Sequence, residues 1–242
     1  MQAIRSAVFN IAFYLNLVLF LLVFSPLLFA KRTSAMWGLK LWGRTSIWLL
    51  AAIAGTRLQV RGRQYIPEGA AIVAAKHQSL FETFAVLPFL PDPAMVLKRE
   101  LMVIPLFGWF AKKFRMIPVD RGAGASALRK LIGRARQELR FNRQILIFPE
   151  GTRRPPGAPP DYKPGAAALY LNLGVPCVPL ALNSGLFWPR RKFMRYPGTI
   201  VLEFLPPIPA GLPRGDFTAR LQHALETKSS ELLADGVETR AG

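Results

Sequence analysis

The spacing of apolar positions changes along the chain and divides it into distinct textures. From Ile11 to Ala30 (IAFYLNLVLFLLVFSPLLFA) nearly every position is apolar, and 25 uncharged residues separate Arg5 from Lys31. About 20 such residues just suffice to cross a hydrocarbon core. A signal peptide shares the basic start, but its apolar region is usually shorter and ends in a small-x-small site; Leu28-Phe29-Ala30 before Lys31-Arg32 fits that poorly. A weaker apolar run, Ile47 to Gly55, follows a stretch in which Trp37, Trp42 and Trp48 alternate with Lys31, Arg32, Lys40 and Arg44. Aromatic and basic residues mixed in this way are expected as interfacial anchors. Residues 8 to 55 therefore read as a membrane-binding helical pair. Its first helix, interrupted by Asn10, Asn16 and Pro26, either spans the bilayer or lies deep in one leaflet. In both cases the basic body belongs on the cytoplasmic side, for a bacterium the inner face of the inner membrane.

Beyond Leu58 the pattern shortens. Ala70–Lys76, Ala94–Lys98, Met116–Asp120, Gln144–Phe148, Cys177–Asn183 and Thr199–Phe204 read as buried or half-buried strands. Between them Leu128, Leu131, Ile132, Ala135 and Leu139 share one helical face, and residues 166–173 and 216–234 are helix-like. Alternating strands and helices predict a single α/β domain with a mostly parallel sheet. The expected organisation is a membrane-binding segment over 1–57, the α/β domain over 58–215, and a C-terminal helix and tail over 216–242.

Composition adds charge to this picture. Half the chain is hydrophobic (51%), only 19% is charged, and the net charge is +18. So much apolar surface excludes a disordered basic tail, and ordinary soluble domains carry roughly 25% charged residues. Eight cations and no acid precede Glu68, whereas five acids against three cations follow from Asp216. An apolar, cationic chain fits a bilayer surface. A nucleic-acid role is disfavoured, because the basic residues lie beside long apolar runs and no helix-turn-helix, RRM or zinc module is visible. One cysteine, Cys177, and two histidines, His77 and His223, exclude an intrachain disulfide and a Cys/His metal cluster.

Three strand ends carry candidate chemistry. Lys76-His77-Gln78-Ser79-Leu80-Phe81-Glu82 lies where a strand gives way to a helix. Ser79 and Glu82 have the S-x-x-E spacing of a capping box, which would use the Glu on backbone donors. Alternatively the Glu82 carboxylate reaches back to one imidazole nitrogen of His77, leaving the other to accept a proton. Phe148-Pro149-Glu150-Gly151-Thr152-Arg153-Arg154 is either a glycine turn with exposed arginines or a phosphate-holding turn beside guanidinium forks. Asp120-Arg121-Gly122 offers Arg121 as an edge charge or a phosphate ligand. A fourth strand end, Lys98-Arg99-Glu100, repeats that arrangement. In a parallel sheet the carboxyl ends of strands line one crevice, which brings these groups toward each other.

At these residues the sequence resembles the PlsC-type glycerolipid acyltransferases, of the bacterial 1-acyl-glycerol-3-phosphate acyltransferase kind. KHQSLFE, KRELMVIPLFGW followed by MIPVDRG, FPEGTRR and VPCVPL look like that family's four blocks in order, over roughly residues 58 to 210. The family usually has His-x4-Asp in the first block, so Glu82 is a departure whose extra methylene the turn must absorb. The resemblance implies that His77, oriented by Glu82, deprotonates a glycerol hydroxyl as it attacks a fatty acyl thioester, with acyl-CoA or acyl carrier protein as co-substrate and no cofactor or metal. It assigns Arg121, Glu150, Gly151, Thr152 and Arg153 to the acceptor site, with the arginines on the phosphate and Lys98 added to them. Lys163 and Gly165 would close the pocket, and the run Leu101–Phe110 lines the acyl route or touches lipid, or else is a core helix with its loop. The expected reaction makes phosphatidate from lysophosphatidate at the membrane. Glycerol 3-phosphate, a lyso-aminolipid acceptor, or a catalytically silent membrane-surface protein are the alternatives. Cys177 reads as a buried strand residue, and His223 as a surface or satisfied core histidine.

Overall fold

Each strand in the middle of the chain is apolar on both faces, and both faces are covered. The computed structural model describes residues 1–120 and 122–241. Seven strands form one sheet: β1 (Thr56–Arg61), β2 (Ala71–Ala75), β3 (Pro93–Lys98), β4 (Ile117–Val119), β5 (Gln144–Ile147), β6 (Cys177–Leu182) and β7 (Gly198–Phe204), in the order β1-β7-β6-β2-β5-β3-β4. Every pairing is parallel except β6 with β7. Alternation along the strands divides the core: Val73, Ala75, Leu146, Val178, Leu180 and Ile200 point to one side, and Ile72, Ala74, Ile145, Ile147 and Cys177 to the other.

Six of the seven strands lie within a residue or two of the runs predicted for them. The seventh, β1, carries Arg57, Gln59 and Arg61 between Leu58 and Val60. It is an edge strand that buries one side only, so it offers no continuous apolar run to detect.

The second side of the sheet is covered by α5 (Gly124–Leu139), α6 (Pro164–Leu173) and α8 (Arg214–Ala241), through Leu131, Ala135, Leu169, Tyr170, Phe217, Leu221 and Leu225. The first side is covered by α1 (Gln2–Val23) and α2 (Arg32–Leu49), together with the short α3 (Glu82–Ala85) and α4 (Phe107–Lys113). Phe9, Phe13 and Phe20 of α1 and Met36 and Leu39 of α2 belong to the same core as Phe84 and Phe110. The helical pair is therefore a layer of the α/β body, and the division expected after residue 57 falls inside β1. Gly43 of α2 permits this approach, since a Cβ there would stand 2.9 Å from Pro88 Cγ.

Some expected interfacial anchors have other work. Trp42 packs against Phe13, Phe20 and Phe84. Arg32 makes a two-pronged ion pair with Asp92, both contacts at 2.6 Å, and Lys40 donates to the Pro91 carbonyl at 2.8 Å. Trp37 and Trp48 are exposed, as expected of anchors. In the run Leu101–Phe110 the alternatives divide between faces: Phe110 enters the core, while Val103, Ile104 and Trp109 are exposed.

At the amino ends of the strands a charge network locks the layers together. Arg143 is fully buried, pairs with Glu138 at 2.7 Å and Asp92 at 3.1 Å, and donates to the carbonyls of Pro93 and Phe114. Asp92 in turn holds Arg32 of α2. Removing one partner of a buried ion network leaves uncompensated charge, so Arg143→Met should cost about 3–5 kcal/mol of folding free energy, measured by denaturant unfolding of the purified protein.

Candidate active site

Three adjacent parallel strands, β5, β2 and β6, end at the same edge, with Ala74 level with Ile147 on one side and Ala75 level with Leu180 on the other. The segments that leave them are consequently neighbours: Phe148–Arg154 from β5, Lys76–Glu82 from β2, and Asn183–Gly185 from β6. This is the crevice that a parallel sheet provides.

Glu82, the first residue of α3, is fully buried and accepts from five donors. Its Oε1 takes His77 Nδ1 at 2.8 Å and the backbone N–H groups of Gln78 and Ser79, each at 2.7 Å. Its Oε2 takes the hydroxyls of Ser79 at 3.0 Å and Ser184 at 2.8 Å. Capping and imidazole orientation are thus not rivals, because one carboxylate does both. The tight turn brings Gln78 and Ser79 amides to the longer side chain, which absorbs the extra methylene. Burial favours the neutral acid, but the bond and charge of His77, the Ser79 amide and the Ser184 hydroxyl outweigh it and hold the Glu82 carboxyl below the usual carboxylate range.

His77 is buried and stacks on the Phe148 ring, 4.1 Å between centroids at 21°. Its carbonyl accepts from Arg154 N at 2.8 Å, tying the two strand-end loops together. With Nδ1 donating to Glu82, Nε2 is left as the acceptor, and among the described residues nothing bonds to it.

The other expected site residues divide. Arg153 sits beside this pair, half-buried, and its guanidinium has no hydrogen-bonding partner among the described residues; burial lowers its pKa, with the Glu82 charge opposing. Gly151 occupies the left-handed region (φ 65°), where a side chain would be strained, and closes a turn by donating to the Phe148 carbonyl at 2.9 Å. Thr152 follows on the same loop, partly exposed. Glu150 is buried and pairs through Oε1 with Lys76 at 2.9 Å, and Lys76 also holds Glu226 of α8 at 2.6 Å. Burial pushes the Glu150 carboxyl up. Lys98 projects from β3, one strand further along, and is exposed and paired with Glu100 at 3.0 Å. Both side chains of that pair are solvent-exposed, where an ion pair holds its partners only weakly. Arg121 lies outside the described residues. Lys163 is exposed and paired with Asp161 at 2.8 Å, while its backbone N–H donates to the Pro149 carbonyl, so the proline-rich loop is pinned against the site. Gly165 packs near Ile147. Cys177 is buried in β6 with its thiol pKa pushed up, which keeps it protonated and inert. His223 is exposed on α8.

Ser184 and Gln78 were not singled out in the sequence. Gln78 Oε1 accepts from Gly185 N at 3.0 Å, and Ser184 reaches Glu82 across 102 positions of chain, a separation that no local pattern signals.

The sequence profile of the family described as Acyltransferase matches residues 57–183. The chain belongs to the acyltransferase family. The 1-acyl-sn-glycerol-3-phosphate acyltransferase of Pseudomonas aeruginosa is 38% identical over 194 residues, covering 80% of this chain and 76% of that protein. The human 1-acyl-sn-glycerol-3-phosphate acyltransferase alpha is 29% identical over 235 residues, 94% of this chain and 83% of its own. The crystal structure of the 1-acyl-sn-glycerophosphate acyltransferase PlsC from Thermotoga maritima superposes with a TM-score of 0.81 over 96% of this chain and 98% of its own, at 22% identity, and so shares the fold. In this acyltransferase the match begins within β1 and ends at Asn183, just before Ser184 completes the shell around Glu82.

The depressed Glu82 pKa has a defined consequence. Its charged form contributes stability above the unfolded-state value, and that contribution is lost as pH falls through the folded value. Glu82→Gln keeps an acceptor for His77, and the two serine hydroxyls can rotate to accept from the new amide. The variant should stay folded but lose less thermal stability than the parent on acidification from neutral pH toward about pH 3; melting curves across that range check it.

Proposed function

We propose that this acyltransferase moves a fatty acyl group from an acyl thioester, acyl-CoA or acyl carrier protein, to the free hydroxyl of lysophosphatidate at a membrane surface, giving phosphatidate. The observation that carries the reading is the 2.8 Å contact between His77 Nδ1 and a buried, fully satisfied Glu82. Glu82 fixes the tautomer; Nε2 takes the proton of the acceptor hydroxyl as its oxygen attacks the thioester carbonyl, and returns a proton to the departing thiolate. The base activates the acceptor directly, so no covalent acyl-enzyme is needed, and the only cysteine is buried and inert. The names of the relatives from Pseudomonas aeruginosa and human support lysophosphatidate as acceptor.

Membrane association follows from the two faces of α1. Ser6, Phe9, Phe13 and Phe20 face the protein core, whereas Ile4, Val8, Ile11, Leu15, Val18 and Leu22 form an exposed apolar stripe at helical spacing. A helix apolar all round needs an apolar medium on its outer side. Because α1 packs along its length on the body, it lies against one leaflet with the stripe in lipid, and Trp37 and Trp48 stand exposed on the neighbouring α2. Of the two dispositions open from sequence, this packing supports the in-plane one.

His77→Ala should lower kcat by about 10²–10⁴-fold in an assay of purified protein with acyl-CoA or acyl carrier protein thioester and lysophosphatidate; undiminished turnover would sink the mechanism. Ile11→Glu with Leu15→Glu leaves the core untouched and should weaken co-sedimentation with phospholipid vesicles at least tenfold, given roughly 1.5–3 kcal/mol for burying each such side chain.

A further inference from the structure

The basic residues around the site differ in whether the fold neutralises them. Arg154 pairs with Asp161, Lys163 with Asp161, Lys98 with Glu100 and Arg99 with Asp120. Arg153 has no such partner among the described residues. The Glu82 oxygens, which attract it, are already taken by five donors. From Tyr162 to Leu202 the chain has no acid at all, yet it carries Arg190, Arg191, Lys192 and Arg195.

The segment after β6 brings part of this charge to Arg153. Ser184 is bound to Glu82 and Gly185 to Gln78, so the segment starts inside the site. Four residues on, Trp188 N closes onto the Ser184 carbonyl at 2.9 Å, and Arg190 Nη1 donates to the Arg153 carbonyl at 2.6 Å. The loop beyond is organised by Arg195, which is buried, donates to the carbonyls of Lys192, Phe193 and Met194, and covers the Trp188 ring at 4.5 Å. Arg195 is therefore consumed in shaping the loop. Arg191 is left exposed in the left-handed region (φ 56°), a costly conformation for a long side chain and one that structures tend to keep at binding sites. The Arg190 guanidinium is thus held at the Arg153 backbone, and the positive charges of Arg190 and Arg191 add to burial in lowering the Arg153 pKa, against the opposing charge of Glu82.

We propose that Arg190, with Arg191 beside it, completes with Arg153 a guanidinium clamp for the phosphate monoester of the lyso-lipid acceptor. This deepens the lysophosphatidate reading and rests on it. A phosphate monoester carries up to two negative charges and three acceptor oxygens, which planar guanidinium forks bind in two-pronged fashion. Arg190 uses one donor on the Arg153 carbonyl and keeps the rest for the ligand. The clamp takes the place that Lys98 was expected to fill.

The test uses the full-length protein in neutral detergent micelles. Arg190→Ala should raise KM for lysophosphatidate by about tenfold or more, the effect of a lost charge-assisted hydrogen bond, with a smaller change in kcat. Arg190→Lys, which keeps charge but loses the fork, should fall between. Calorimetric titration with lysophosphatidate and, as phosphate-free control, monoacylglycerol should show weaker binding of the first only. Unchanged KM and affinity in Arg190→Ala/Arg191→Ala overturns the clamp. So does equal weakening toward both lipids, which would mark a merely structural bond to Arg153, or an effect confined to anionic vesicles, which would assign the arginines to bulk headgroups. A parent that binds lysophosphatidate through these arginines without acylating it would defeat the functional reading and leave the clamp standing. A parent that neither binds nor acylates it defeats both.

Discussion

Glu82 carries a charge in a place without water, and it keeps that charge because five donors converge on its two oxygens. An isolated buried carboxylate would take up a proton. Here two backbone amides of a tight turn, two serine hydroxyls and one imidazole compensate for the lost hydration. That requirement dictates much around it. The turn after β2 must be tight enough to aim the Gln78 and Ser79 amides inward, β6 must run parallel beside β2 to deliver Ser184, and β5 must deliver Phe148 as the platform for the imidazole. The orientation of His77 is a by-product of stabilising the acid.

The first helix at the amino end has two unlike sides. One side of α1 replaces water over the sheet as any layer helix does, contributing Phe9, Phe13 and Phe20 to the common core; the other side is apolar with nothing of the protein upon it. This explains why a run that reads like a membrane segment is inseparable from the catalytic body. Asn10 of α1 joins the loop that carries Arg190 by donating to the Phe193 carbonyl.

Charge is sorted by whether the fold answers it. At the amino ends of the strands Arg143, Arg32, Asp92 and Glu138 form a closed network that fastens layers together. Behind the His77 turn, Lys76, Glu150, Glu226 and Tyr162 do the same for α8 and the proline-rich loop. Beside His77, Arg153 has no carboxylate paired with it among the described residues. Some of the 14 acids thus answer basic residues in place, and the net +18 is what the 32 basic residues leave over.

The order of apolar runs was enough to give the α/β class, the parallel sheet and six strands to within a residue or two, because buried strands advertise themselves over four to six adjacent positions. It also marked His77, Glu82 and Arg153 as candidates, since these follow strand ends whose location local pattern fixes. Three things needed tertiary structure. β1 buries Thr56 and half-buries Leu58 and Val60 between exposed polar residues, so it has no local signature. Glu150 and Lys98 are alike in sequence as charges at strand ends, yet one is buried against Lys76 and the other exposed beside Glu100, and partner choice depends on distances that chain order does not encode. Ser184 reaches Glu82 only because β6 lies beside β2 in the sheet. Residue type determines what a side chain can do; strand order and burial decide which charges are neutralised and which remain to act.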